Sequence, residues 1–194
     1  MKITICITTY NRNDSLEKCL KSINKLKINK GIILNIIIVD NSISYNLLKI
    51  KKRLSKNSKY KIIFLNQKKR GRVFARNKYL KKLKNINPDY ICLFDDDCIV
   101  DKHWLEESIK TTKIYNADVV TGPQIYLKNY KIKEKVNNFS SLFEKDYKNK
   151  KICHVKWAAS NNIFMNYQIL KKINLSFDKN LNKFGVGEDQ LFFL

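Results

Sequence analysis

The sequence predicts an α/β fold, an open and mostly parallel sheet with helices on both faces, and three observations carry that expectation. Short β-branched runs alternate with Lys-rich stretches of helical length, the pattern of successive βαβ units. Residues 33–39 are almost continuously apolar, as a strand covered on both faces requires. Polar clusters follow three of the strands, at residues 8–12, at Asp40-Asn41-Ser42 and at Asp95-Asp96-Asp97; such sheets bind ligands at the carboxyl ends of their strands. The chain's 194 residues and 44% apolar content suit one domain with a substantial core.

Taken in order, Ile3, Ile5 and Ile7 alternate with Thr4 and Cys6, a period of two that predicts the first strand. Asp14 and Glu17 have the spacing of a capping box, and Leu16, Leu20 and Ile23 follow at i, i+4 and i+7, so a helix comes next. The apolar run at 33–39 is the second strand. Leu47, Leu48, Ile50 and Leu54 mark an amphipathic stretch, residues 62–65 a third strand, and Ala75, Tyr79 and Leu83 another helix. A fourth strand at 90–94 runs into the three aspartates, with Asp101 as N-cap of a helix bearing Trp104 and Leu105. Residues 128–151 are polar and weakly periodic and read as a mobile segment or an inserted loop. Order returns with HVKWAASNNIFM.

Lys and Arg number 39 against 17 Asp and Glu, a net charge of +22. That points toward an anionic partner without choosing one, and Lys scattered among Ile and Asn also arises from A/T-rich codons. The five cysteines, Cys6, Cys19, Cys92, Cys98 and Cys153, are odd in number and never in C-x-x-C spacing, which suggests neither a disulfide framework nor structural zinc and makes a cytoplasmic location the expectation. No apolar run approaches the roughly 20 residues of a membrane span.

Three consecutive carboxylates at a strand end raise one another's pKa unless a cation neutralises them. Alternate residues share a face, so Asp95 and Asp97 could hold one hard ion, Mg²⁺ or Mn²⁺, with phosphate oxygens and water completing its shell. An acidic turn is the ordinary alternative.

The chain resembles the family 2 glycosyltransferases of GT-A fold, inverting enzymes that use nucleotide-diphospho-sugars. ITICITTYNR resembles their first strand and nucleotide-binding turn, IIIVDNS the second strand, and GRVFARN the G-x-x-x-A-R-N element. YICLFDDDCIVDKHWLE resembles their D-x-D segment, WAASNNIFM the acceptor-side segment, and FDKNLNKFGVGED the acidic motif. The resemblance implies that Thr8, Tyr10 and Arg12 border the nucleotide and that Asp40 meets the base; an Asx turn is the other reading of Asp40. Gly71, Arg72, Arg76 and Asn77 would face phosphate from a helix start, or be no more than a basic helix start. Asp95 would lie near ribose and metal, with Asp96 beside them and Asp97 the firmer metal ligand, while Asp189 would be the base with Glu188 its neighbour. Trp157, Asn161 and Asn162 would contact the acceptor, although Trp157 could equally be core and the two asparagines could close a turn. His103 and His154 have no partner at ligand spacing and read as structural.

The implied partners are a nucleotide-diphospho-sugar donor, a saccharide or polyprenyl-linked acceptor and a peripheral anionic membrane surface, with no nucleic acid expected. The implied cofactor is a divalent metal, Mn²⁺ or Mg²⁺. Residues 1–100 would be the nucleotide-binding half of a single domain and 101–194 the acceptor-binding half. The sequence stops five residues after Asp189, where the family continues, so the expectation is a C-terminally incomplete domain that binds nucleotide and transfers sugar slowly or not at all. Two alternatives stand. A nucleotidyltransferase would need a glycine-rich loop after the first strand, and TTYNRND has no glycine. A basic nucleic-acid or membrane binder would gather its cations on one element, whereas Lys is spread over every segment.

Overall fold

The computed structural model describes residues 1–124, 152–155, 158–173 and 176–183. Their order is β1 (Lys2–Thr9), α1 (Asn13–Ile23), β2 (Ile33–Asp40), a 3-10 turn (Asn46–Lys49), α2 (Lys51–Lys56), β3 (Lys61–Asn66), α3 (Arg72–Ile86), β4 (Tyr90–Asp95) and α4 (Trp104–Tyr115). Then come β5 (Val119–Thr121), β6 (Asn162–Asn166), α5 (Tyr167–Lys172) and a 3-10 turn at Lys179–Lys183. The strands form one sheet in the order β3-β2-β1-β4-β6-β5. β1 pairs in parallel with both β2 and β4, and β2 with β3. β6 runs antiparallel to β4 and to β5.

Strand alternation sorts the core into two layers. Ile3, Ile5, Ile7, Ile36, Ile38, Cys92 and Phe94 pack with Leu16, Leu20 and Ile23 of α1 and with Leu105 and Ile109 of α4. The intervening residues Cys6, Ile37, Val39, Ile91 and Leu93 pack with Val73, Tyr79 and Leu83 of α3 and with Leu170 of α5. The period of two in β1 therefore separates two buried faces, because helices cover both sides of a parallel sheet.

Two expected caps are not made. α1 begins at Asn13 after Arg12 with no side-chain cap, and Glu17 instead pairs with Arg53 at 2.5 Å. Asp101 stands ahead of α4, where its side chain accepts from His103 N–H at 2.8 Å and His103 is the capping position. The inserted loop expected at 128–151 lies outside the described residues.

Candidate active site

Parallel pairing brings the ends of β1, β2 and β4 level, with Thr8 opposite Asp95 and Thr9 opposite Asp40. Between β1 and β4 the chain reverses its order across the sheet, which opens a crevice. A cleft of about 670 Å³ lies there, lined among others by Thr8, Tyr10, Arg12, Arg70, Gly71, Arg72 and all three aspartates of the acidic run.

The acidic wall is graded. Asp95 is partly exposed and lies 3.7 Å from the guanidinium of the buried Arg76. Asp96 is buried and accepts hydrogen bonds from Thr9 Oγ1 at 2.6 Å and from Arg12 at 3.2 Å. Burial raises the Asp96 pKa above the ordinary carboxylate value, against the pull of those two donors. Asp97, 58% exposed, accepts from Arg12 at 3.0 Å. Arg12 thus stands as a shared cation between two carboxylates. Burial also pushes the neighbouring Cys98 thiol up to about 12, so it stays protonated and donates to the Asn161 carbonyl at 3.5 Å.

Among the described residues, no three Asp, Glu, His or Cys side chains converge as a complete metal site. The donor chemistry of Asp95 and Asp97 nevertheless fits a hard divalent ion, since Mg²⁺ is commonly held by one or two carboxylates with phosphate oxygens and water.

On the cationic side Arg70, Gly71 and Arg72 line the cleft, and Asn41 builds the loop that carries them. The Asn41 side chain donates to the carbonyls of Gln67 at 2.7 Å and Lys69 at 2.8 Å, and accepts from Gly71 N–H at 2.8 Å. Gly71 has φ 134° and ψ 138°, a conformation that essentially only glycine takes at low cost. Its N–H serves Asn41, so what this loop turns to the cleft is chiefly cationic: Arg70 and Arg72 line it, and Arg70 lies 5.3 Å from the Tyr10 ring centroid.

Several expected site residues sit elsewhere. Asp40 is 1% exposed; its Oδ1 accepts from Ser42 N–H at 2.9 Å and its Oδ2 from Leu47 N–H at 3.1 Å. These contacts are those of an Asx turn, and Asp40 is not among the residues lining the cleft. Arg76 stands behind Asp95, and Asn77 binds the backbone of Phe177. Asn162 accepts from Trp104 Nε1 at 2.7 Å and donates to Gly122 O at 2.8 Å, which joins α4 to the chain beyond β5. Asn161 pairs with Gln124 at 2.6 Å. His103 lies 3.2 Å from Glu106, a local pair at the start of α4. Trp157, Glu188 and Asp189 lie outside the described residues. Thr8, Tyr10, Arg12, Gly71, Arg72, Asp95, Asp96 and Asp97 do come together around one cleft. Sequence reasoning missed Asn41 and Arg70. The signals were an amide directly after a strand-end acid and a second arginine flanking the glycine of KKRGR.

The chain is similar to known proteins. Glycosyltransferase GlyA of Streptococcus pneumoniae serotype 4 is 29% identical over 121 residues, which are 62% of this chain and 16% of that protein. TarS 1-349 of S. aureus in complex with UDP matches with a TM-score of 0.71 at 17% identity, over 100% of this chain and 54% of that one. The mannosyltransferase PcManGT from Pyrobaculum calidifontis, in complex with GDP-Man and Mn²⁺, matches with a TM-score of 0.67 at 15% identity, over 96% of this chain and 49% of that one. The chain therefore spans about half the length of these solved structures and a smaller share of the curated relative. The structural likeness establishes a Rossmann-like GT-A fold. The sequence profile described as glycosyl transferase family 2 matches residues 4–174, a stretch that includes both walls of the cleft, and this chain belongs to that family.

Proposed function

We propose that the protein transfers a sugar, with inversion, from a nucleotide-diphospho-sugar to a hydroxyl of a saccharide or polyprenyl-linked acceptor. The observation that carries this reading is the two-signed cleft, lined by Asp95 and Asp97 and also by Arg70 and Arg72. A diphosphate suits that space, because guanidinium forks match phosphate oxygens and carboxylates do not approach phosphate without a cation between them. Asp97 and Asp95 would hold that cation, Mg²⁺ or Mn²⁺, and when bound it stabilises the charge of the departing diphosphate. Tyr10 offers an aromatic face at the cleft rim for the nucleobase.

In the transfer, the acceptor oxygen attacks the anomeric carbon as the bond from that carbon to the diphosphate oxygen breaks, and the bonding pair leaves with the nucleoside diphosphate. A single displacement inverts the centre. The acceptor proton passes to the carboxylate of Asp189, with Glu188 beside it in sequence. Residues 1–100 supply the donor side and 101–194 the acceptor side. A charge of +22 suits a cytoplasmic protein working at an anionic membrane surface; among the described residues no helix is long and apolar enough to cross one.

A thermal-shift series with UDP, GDP and dTDP, each with and without Mn²⁺, tests the reading. Metal-dependent stabilisation by one of them is expected and would name the base. No stabilisation by any of the three would sink the proposal.

A further inference from the structure

Asn77 lies in the first half of α3, yet its amide is engaged away from the cleft. Nδ2 donates to the Phe177 carbonyl at 2.8 Å, and Oδ1 accepts from the Phe177 N–H at 2.9 Å. One side chain thereby satisfies both backbone groups of a residue 100 positions along the chain, as a neighbouring strand would. The Phe177 ring is 1% exposed and packs in the apolar layer under α3. It also meets the next side chain back, with the Arg76 guanidinium 5.2 Å from the ring centroid. Arg76 is 2% exposed and reaches to 3.7 Å from the Asp95 carboxylate. The contacts run without a gap from Phe177 through Arg76 to the acidic wall.

We propose that Asn77 is a positioning residue that fastens the segment 176–183 to α3, and that Arg76 ties this fastening to Asp95. Described as acceptor side and donor side, the two ends rest on the function proposed above. The segment holds Leu181, which lines the cleft, and Lys183 precedes Asp189 by six residues. A proton acceptor works only within hydrogen-bond reach of the hydroxyl it serves, so the chain leading to it needs a fixed point relative to the donor. A planar amide bound on both edges supplies one. Neutral hydrogen bonds set its orientation, and a buried cation beneath the ring links it to the carboxylate. This assigns Asn77 a task other than nucleotide contact.

The test uses the 194-residue chain and the variants Asn77→Ala, Asn77→Asp and Arg76→Lys. Amide hydrogen exchange is read at Phe177, and calorimetry measures the affinity for UDP, GDP and dTDP in Mn²⁺. In Asn77→Ala the Phe177 amide should exchange about tenfold faster or more, the loss expected when a buried hydrogen-bond partner is removed. Asn77→Asp keeps the acceptor for that N–H and should show a smaller change, which covers the case in which the alanine variant fails to fold. Nucleotide affinity should stay within about twofold in both, since no nucleotide contact is removed. Nucleotide with Mn²⁺ should slow exchange at Phe177 in the unaltered chain and not in Arg76→Lys. Unchanged exchange in both Asn77 variants, or a tenfold loss of nucleotide affinity in either, overturns the role of Asn77. An equal slowing in Arg76→Lys overturns the link to Asp95. If no nucleotide binds the unaltered chain, the proposed function falls, while exchange at Phe177 still decides the fastening.

Discussion

The ends of β2 and β4 both carry aspartate, and β1 lies between them. At the end of β2, Asp40 is surrounded by backbone: two N–H groups from its own loop take one oxygen each. At the end of β4, Asp96 and Asp97 meet side chains from β1 and the turn after it, a hydroxyl and a guanidinium. The difference lies in what can leave. Backbone donors are fixed by the fold, so Asp40 holds a loop in shape. Arg12 is a long, exposed side chain whose rotamers can carry its guanidinium away from Asp97. The two strand ends thus differ in whether the carboxylate's partners are backbone groups set by the fold or side chains with rotamers of their own.

Four variants probe that distinction. Asp189→Asn should lower sugar transfer by about 10²- to 10⁴-fold with donor affinity unchanged, since a general base acts in the transition state; single-turnover rates beside calorimetry check it, and equal activity would remove Asp189 from the reaction. Asp97→Asn should weaken nucleotide binding in Mn²⁺ by about 100-fold while leaving the melting temperature nearly unchanged, because it takes one hard oxygen and one charge from the proposed metal site. Calorimetry with unchanged UDP, GDP and dTDP profiles would contradict this. Asp40→Asn should do the reverse. Its new NH₂ group must face one of the two backbone donors, at a cost of about 1–3 kcal/mol in urea unfolding with nucleotide affinity kept. Weakened binding with full stability would instead return Asp40 to the ligand site.

The smallest effect concerns Thr9→Val, and its sign depends on pH. Burial raises the Asp96 pKa in the folded state, so this group's favourable contribution is complete below its unfolded value of about 3.9 and is lost as pH rises through the folded value. Removing the Thr9 hydroxyl takes a donor from the ionised form. The variant should be about 1 kcal/mol less stable at pH 7, and the deficit should shrink as pH falls into the range where Asp96 protonates. Denaturant melts at pH 7 and pH 4 compare the two conditions. A deficit that grows toward acid would show that the hydroxyl does not favour the carboxylate.

The strands were legible because their apolar runs are short and end in polar clusters, and the cleft was legible because those clusters share one edge of a parallel sheet. Asp40 could not be resolved this way. Its turn depends on Leu47, seven residues on, and no local pattern announces that bond. The partner of Asn162 was hidden for a similar reason: Trp104, from a helix 58 residues earlier, donates to its side-chain oxygen, and no local pattern announces that bond. The direction of β6 was also hidden. Strand polarity follows from the path of the chain between elements, and the short apolar run in NIFMN reads the same in either sense. Capping was misplaced at α1 because the helix begins at Asn13, which puts Asp14 inside its first turn rather than at the cap.

Thr9 and Asp96 stand 87 positions apart, and Asn77 and Phe177 stand 100 apart. Such closures carry a large entropic cost before their contacts can form, which slows folding in chains dominated by them. During synthesis the acidic wall cannot close on β1 until Asp97 has cleared the ribosome, and the fastening on α3 must wait for Phe177. The two contacts thus become possible in turn during translation, the one beside the cleft first and the one on α3 second.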